Sequence, residues 1–116
     1  MIGRVCALLL AIWPLLPAQA APVTARIDIP YATVSGQGLG LDLYLPADVK
    51  RPPLVIYVHG GAWNAGNKTA YPSFLVEAGF AVASLDFRST DVAPFPANVH
   101  DIKAAIRFLR AHAAQY

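Results

Sequence analysis

The stretch LVIYVHGGAW at positions 54–63 joins an uninterrupted apolar run to a pair of glycines. An apolar run without polar alternation is typical of a strand that is buried on both faces of a parallel sheet. Because glycine lacks a Cβ, Gly60 and Gly61 allow the backbone to turn and to approach a ligand closely. Peptide N–H groups can then point into a cleft, where acyl-transfer enzymes use such groups to stabilise a negative oxygen. The stretch therefore predicts a buried strand that leads into part of an active site.

Residues 1–20 have the pattern of a secretory signal peptide. One positive charge precedes the apolar residues 5–16, and Ala18 and Ala20 form an Ala-x-Ala arrangement. The apolar stretch is shorter than the roughly 20 residues that span a bilayer, so we expect no stable membrane insertion. We expect cleavage before Ala21 and a secreted or periplasmic protein.

The composition argues against several classes of function. The chain of 116 residues contains one cysteine, Cys6, which would leave with the signal peptide, so we expect neither a disulfide nor a cysteine-based metal site. The formal net charge is +2, and basic residues are spread among acidic ones, which argues against nucleic-acid binding. The spacing of His100 and His112 does not place them side by side for a metal. We therefore expect no metal site.

The residues before the glycine pair predict a β-hairpin. Residues 26–29 and 39–45 alternate apolar and polar side chains, which is typical of strands with one buried face. The segment 35–38 between them has the composition of a turn. An antiparallel pair is therefore expected at the start of the mature chain.

A strand, a helix and a second strand follow the hairpin. Residues 69–78 predict a short helix that stops at Gly79, and residues 80–86 form another apolar strand. The strands at 54–58 and 80–86 should be parallel, with a right-handed crossover between them. The hairpin and this unit together predict an α/β fold with a mixed sheet.

The last part of the chain predicts an amphipathic helix that lies on the sheet. We expect Asn98 to cap this helix and Asp101 to lie in its first turn. Apolar residues recur there at spacings of three and four. The apolar face comprises Val99, Ile102, Ile106, Leu109 and Ala113.

The order of these elements and the His-Gly-Gly-Ala-Trp motif resemble the α/β-hydrolase superfamily, in particular secreted esterases and lipases with a His-Gly-Gly-x-Trp loop after the third strand. These include feruloyl, acetylxylan and hormone-sensitive-lipase-like esterases. The segments 86–88 and 93–96 resemble the family's aromatic-Arg and Pro-Phe-Pro sequences. The resemblance implies that residues 21–116 are the N-terminal part of an α/β-hydrolase domain, truncated before the nucleophile elbow, because the sequence contains no Gly-x-Ser-x-Gly.

The resemblance also implies roles for the residues of the loop. The backbone N–H groups of Gly61 and Ala62 would form the oxyanion hole. Trp63 and Asn64 would lie near the acyl pocket, although Trp63 could equally cover the loop as a hydrophobic lid. The residues that would support the loop are His59, Gly60 and Arg88.

No residue of the sequence matches the family's catalytic Ser, Asp or His. In this superfamily the acid and then the base follow the nucleophile along the chain, whereas His59, Asp86 and Asp101 would all precede it. Structural roles are therefore expected for these three residues.

The function implied by the resemblance is that of a secreted serine hydrolase that acts on small-molecule or carbohydrate esters without a cofactor. Formamidases and peptidases share the fold. Because the nucleophile is missing, this chain by itself is expected to be inactive. Two alternatives stay open: a non-catalytic secreted binding module and an inactive truncated gene product.

Overall fold

The computed structural model describes residues 22–116, so the predicted signal peptide lies outside the described residues. The described part forms one four-stranded mixed sheet with two helices. In chain order the elements are β1 (Val23–Val34), β2 (Gln37–Pro46), β3 (Leu54–Val58), α1 (Ser73–Glu77), β4 (Ala81–Leu85) and α2 (Ala97–Ala111).

The strands lie in the order β1-β2-β4-β3. β1 pairs antiparallel with β2, β2 pairs antiparallel with β4, and β4 pairs parallel with β3. The predicted hairpin, the predicted parallel pair and the mixed α/β sheet are confirmed. β1 and β3 form the two edges of the sheet within the described residues.

The hairpin turn is tighter than the predicted segment 35–38. Gln37 and Gly38 already pair with β1, so only Ser35 and Gly36 remain in the turn. Their φ angles are 49° and 80°, the arrangement of a two-residue type I′ turn. Such turns match the right-handed twist of the two strands, which allows the ladder to continue up to the turn.

The core lies on both faces of the inner strands. All five residues of β4 are buried. One apolar cluster, which includes Leu85 and Leu109, lies between the sheet and α2. A second cluster contains Tyr44, Val76 and Val82 and lies against α1.

The prediction that β3 is buried on both faces is wrong for the described part of the chain. Leu54 is 45% exposed, and the other residues of β3 are only half-buried. The reason is topological, because β3 has a hydrogen-bonded neighbour on one side only. The strand that is buried on both faces is β4, which lies between β2 and β3.

Helix α1 is shorter than predicted but ends where expected. It begins after Pro72, whose ring fixes φ and whose nitrogen has no hydrogen to donate. At its end, the N–H of Phe80 donates to the carbonyl of Leu75, and the N–H of Gly79 donates to that of Val76, both at 3.0 Å. This pair of bonds is a Schellman motif, so the predicted stop at Gly79 is confirmed.

The predicted cap of α2 is wrong. The cap position is Pro96, two residues earlier than Asn98, and no side chain caps the N-terminus of the helix. The Asn98 side-chain oxygen instead accepts from the N–H of Val99 at 2.8 Å, inside the helix. Asp101 lies beyond the first turn and is 2% exposed, because it forms a buried ion pair.

The buried face of α2 is rotated from the predicted one. Ile102 and Ile106 are half-buried and Ala113 is exposed, whereas two polar residues point inward. The inward position of Asp101 is set by its partner outside the helix, and Ile106 borders an open groove beside β3. The buried residues of α2 are Asn98, Asp101, Ala105 and Leu109.

Candidate active site

The glycine loop, defined here as residues 59–68, leaves the carboxyl end of β3. Its backbone has three consecutive residues with left-handed φ angles: 128° at Gly61, 52° at Ala62 and 68° at Trp63. Positive φ is uncommon for residues other than glycine and costs free energy, so it persists only where the surroundings impose it. Ala62 and Trp63 thus mark a conformation that the rest of the loop holds in place.

A tight reversal accounts for this conformation. The N–H groups of Asn64 and Ala65 both donate to the carbonyl of Gly61, at 3.1 and 3.0 Å. A Cβ on Gly61 would overlap the backbone of Ala65, so only glycine fits at this position. The reversal turns the Gly61 carbonyl into the loop.

The predicted oxyanion-hole donors, Gly61 and Ala62, belong to this reversal. Among residues 22–116, neither the N–H of Gly61 nor the N–H of Ala62 donates a hydrogen bond. Both residues are exposed, so these N–H groups can reach an external acceptor. Two free N–H groups on consecutive residues are the donor arrangement that stabilises an oxyanion.

His59 lies under the loop. Its ring stacks on the ring of Phe87, with centroids 4.5 Å apart and planes 16° apart, and its Nδ1 donates to the carbonyl of Gly60 at 2.9 Å. A Cβ on Gly66 would overlap the His59 ring and the Gly60 carbonyl, so the loop closes tightly over this histidine. These contacts hold the backbone at His59 and Gly60, where the loop begins.

Phe87, which follows β4, contacts both ends of the motif. Besides His59, it contacts the ring of Trp63 with a centroid distance of 5.9 Å. Phe87 lies in the family-like segment 86–88 but is not among the predicted site residues. Its position directly after a strand parallel to β3 was the available signal, because the carboxyl ends of parallel strands lie together.

The predicted substrate-binding residues face solvent. Trp63 is 51% exposed, and Asn64 is exposed. The carbonyl of Trp63 accepts from the N–H of Thr90 at 2.9 Å, which ties the loop to the segment after β4. Trp63 is therefore anchored through its backbone, while half of its side chain stays available for contact.

Arg88 contacts helix α2. Its Nη2 and Nε donate to the two carboxylate oxygens of Asp101 at 2.8 and 2.9 Å, and its backbone N–H donates to the same carboxylate at 2.9 Å. This bidentate pair has the geometry of a strong arginine–carboxylate interaction. Arg88 thus joins α2 to the segment that carries Phe87, which packs under the loop.

The two grooves that the described residues form lie away from the glycine loop. Two open grooves of about 310 and 850 Å³ adjoin β3 and α2. Within residues 22–116, no three His, Cys, Asp or Glu side chains lie close enough together to hold a metal ion. Over the same described residues, none of the helices has the length and apolar character needed to cross a bilayer.

Comparisons with known proteins identify the family of this chain. The family model described as BD-FAE matches residues 41–116. Esterase LipQ of Mycobacterium tuberculosis is 35% identical over 96 residues, which are 77% of this chain and 23% of LipQ. The fold and the sequence therefore define part of the α/β-hydrolase fold that these esterases share. The chain belongs to the BD-FAE family of α/β-hydrolase esterases.

Solved structures of esterases share the fold. A truncated carbohydrate esterase from gut microbiota is 39% identical, with a TM-score of 0.69, over 86% of this chain and 37% of that protein. Brefeldin A esterase, a bacterial homologue of human hormone-sensitive lipase, is 28% identical with a TM-score of 0.68, over 88% of this chain and 31% of that protein. The chain thus spans between about a quarter and two fifths of the lengths of these relatives.

Proposed function

We propose that this chain carries the oxyanion-stabilising part of a secreted serine hydrolase that acts on carboxylic esters. The observation that carries the proposal is that the exposed residues Gly61 and Ala62 lie in the reversal closed by Ala65, and that their N–H groups have no partner among residues 22–116. Membership of an esterase family supports the reaction class.

The proposed reaction needs a nucleophilic serine, and this sequence contains no Gly-x-Ser-x-Gly that would supply it. The serine oxygen would attack the ester carbonyl while a histidine takes its proton, and the carbonyl oxygen would become the oxyanion bound by Gly61 and Ala62. Collapse of this intermediate would release the alcohol, which takes the proton from the histidine. Water would then release the acid from the acyl-enzyme by the same steps.

The proposed substrates are small-molecule or carbohydrate esters. Trp63 supports this because a half-exposed aromatic ring beside the donors offers an apolar surface to an acyl or sugar ester. The similarity to a carbohydrate esterase at 39% identity favours the carbohydrate class. A panel of acetylated sugars and short alkyl esters would rank the two.

The role of Gly61 can be tested in the complete gene product. We expect Gly61→Ala to lower kcat by about a hundredfold to a thousandfold, because the added Cβ meets Ala65 and turns the donors away. Gly38→Ala is the matched control, since its Cβ meets nothing within 4 Å. Equal turnover for Gly61→Ala and Gly38→Ala would refute the role of the loop.

The missing nucleophile can be tested with a serine-directed phosphonate. We expect the chain of 116 residues to stay unlabelled and without ester turnover, and the complete gene product to be labelled at a serine outside it. Labelling of a serine within this chain would refute the prediction that the nucleophile is absent. A complete product with neither label nor turnover would overturn the esterase proposal in favour of a binding module.

Export is proposed from the sequence of residues 1–20. Mass spectrometry of the exported protein should find a mature chain that begins at Ala21. A mature chain that still begins at Met1 would refute the signal peptide.

A further inference from the structure

Lys68, the last residue of the glycine loop, has an almost fully buried side chain that reaches away from the loop. The residue is 8% exposed. Its Nζ lies 2.6 Å from Oδ1 of Asp28 on β1 and 2.8 Å from Oδ1 of Asp42 on β2. One ammonium group therefore links the loop to both strands of the hairpin.

The hairpin is shaped for this contact. The ladder between β1 and β2 shifts register between Arg26 and Ile29, and Asp28 within this bulge has a left-handed φ of 57°. The N–H of Asp28 donates to Oδ1 of Asp42 at 2.9 Å. Bulges re-aim single side chains, and this one directs a carboxylate at Lys68.

The backbone of Lys68 is held as well. Its N–H donates to Oδ1 of Asp86 at 2.9 Å, and the N–H of Asp86 donates to the carbonyl of Gly40 at 2.9 Å. Asp86 directly precedes Phe87, which packs under His59. The two ends of the loop are thus anchored to adjacent residues after β4.

The charge of Lys68 is preserved in this setting. Burial alone would lower the pKa of Lys68, but the hydrogen bonds from its ammonium to Asp28 and Asp42 outweigh burial and raise that pKa. Buried ion pairs generally contribute less stability than well-packed apolar side chains of similar volume. Net stability alone is therefore a weak reason for such a group, and its location points to the loop.

We propose that Lys68 is a positioning residue of the oxyanion loop. Its ammonium, fixed by Asp28 and Asp42, holds the end of the loop and so sets the direction in which Gly61 and Ala62 present their N–H groups. This inference rests on the proposed esterase function for its effect on turnover, but its effect on the loop can be measured without activity.

The experiment uses Lys68→Met in the complete gene product, with the amide signals of Gly61 and Ala62 followed by NMR. We expect both signals to move, and kcat to fall by about tenfold to a hundredfold with KM changed by less than about twofold, because donors displaced by a fraction of an ångström no longer match the transition state. Lys103→Met on the exposed face of α2 removes the same charge and should leave the signals and kcat unchanged.

A general loss of stability must be told apart from positioning. Leu109→Ala lowers the thermal midpoint by opening a cavity under α2, and it should leave both amide signals in place. Asp28→Asn is a gentler test than Lys68→Met, because Asp28 is mostly exposed and asparagine accepts its φ. We expect Asp28→Asn to move the same two signals in the same direction by a smaller amount, and Lys68→Arg to restore part of the wild-type positions.

Unmoved Gly61 and Ala62 signals in folded Lys68→Met or Asp28→Asn would overturn the inference. Signals that move equally in Leu109→Ala would also overturn it, since the loop would then report only stability. Absence of ester turnover in the wild-type product would refute the proposed function instead, and the amide signals would still decide the role of Lys68.

Discussion

The two edges of the sheet are built differently. β1 has twelve residues, two register shifts, a proline at position 30 and charged side chains at Arg26 and Asp28. β3 has five residues, all apolar or aromatic, and no register shift in its pairing with β4. Proteins protect exposed edges with bulges, prolines and charges, and these devices occur on β1 only.

The difference indicates that β1 has the features of a protected edge strand. β3 lacks these features, and its free side is suited to pairing with a further strand. The surface beside β3 supports this, because an apolar groove runs between that strand and α2. Its lining residues are Leu54, Ile56, Ile106, Leu109, Arg110 and Ala113. An unprotected apolar edge next to an apolar groove is a surface prone to association.

The largest expected effect is on self-association of the chain of 116 residues. We expect Leu54→Lys on β3 to weaken association by more than about a hundredfold, because burying an unpaired ammonium in the interface costs several kcal/mol. Val23→Lys on β1 is the matched control, since Val23 is 42% exposed and Leu54 is 45% exposed. Sedimentation velocity over a concentration series measures both.

Two outcomes would contradict this contrast. A wild-type chain that stays monomeric with one cooperative unfolding transition would show that β3 tolerates exposure, and it would favour the binding-module alternative. Equal weakening by Leu54→Lys and Val23→Lys would place the association elsewhere.

A second prediction compares an inner strand with the β3 edge. Leu41 on β2 is 0% exposed, so Leu41→Ala should lower the free energy of unfolding by about 2 to 5 kcal/mol through lost burial and a cavity. Leu54→Ala should cost less than about 1 kcal/mol, because the side chain is already partly in water. Urea unfolding of the two variants tests this, and similar losses would mean that the β3 edge is covered in solution.

A third prediction sharpens the description of the β1 edge. Gly36→Ala in the hairpin turn should destabilise the chain by about 1 kcal/mol, because φ is 80° there and the left-handed region is costly for alanine. Gly38→Ala is two residues away and also meets nothing within 4 Å. It should be neutral or slightly stabilising, so an equal loss in both variants would argue against the type I′ turn.

Local patterns were sufficient to predict much of this fold. The bounds of β3, the parallel pairing of β3 with β4 and the stop at Gly79 follow from apolar runs and glycine placement. The glycine pair also directed attention to the loop in which the N–H groups of Gly61 and Ala62 have no partner among residues 22–116. These features depend on residues that lie close together in the sequence.

The features that sequence reasoning missed depend on distant partners. Asp101 was expected in the first turn of α2, but its position is set by Arg88, thirteen residues earlier. The contact between Lys68 and Asp28 spans forty residues and requires a bulge that no local pattern announces. The burial of β3 was misjudged because burial depends on a neighbouring strand and not on the composition of β3 itself.

The smallest expected effect concerns alkaline pH and the polar anchors of the β1 side. Burial, and after it the charges of Asp101 and Asp86, raise the pKa of Tyr31 above its ordinary value of 10.0, and the Tyr31 hydroxyl donates to the carbonyl of Asp86. The pKa of Lys68 is likewise raised above 10.5. Both groups therefore stabilise the folded chain below pH 10. Their contribution declines as the pH rises from there toward the pKa values of the folded state, because the unfolded chain loses these protons first.

We expect the free energy of unfolding to be nearly constant between about pH 7 and 9 and to fall above about pH 10, with a shallower fall in Tyr31→Phe. Urea titrations at each pH measure the slope, and an equal slope in Tyr31→Phe would remove Tyr31 from this account.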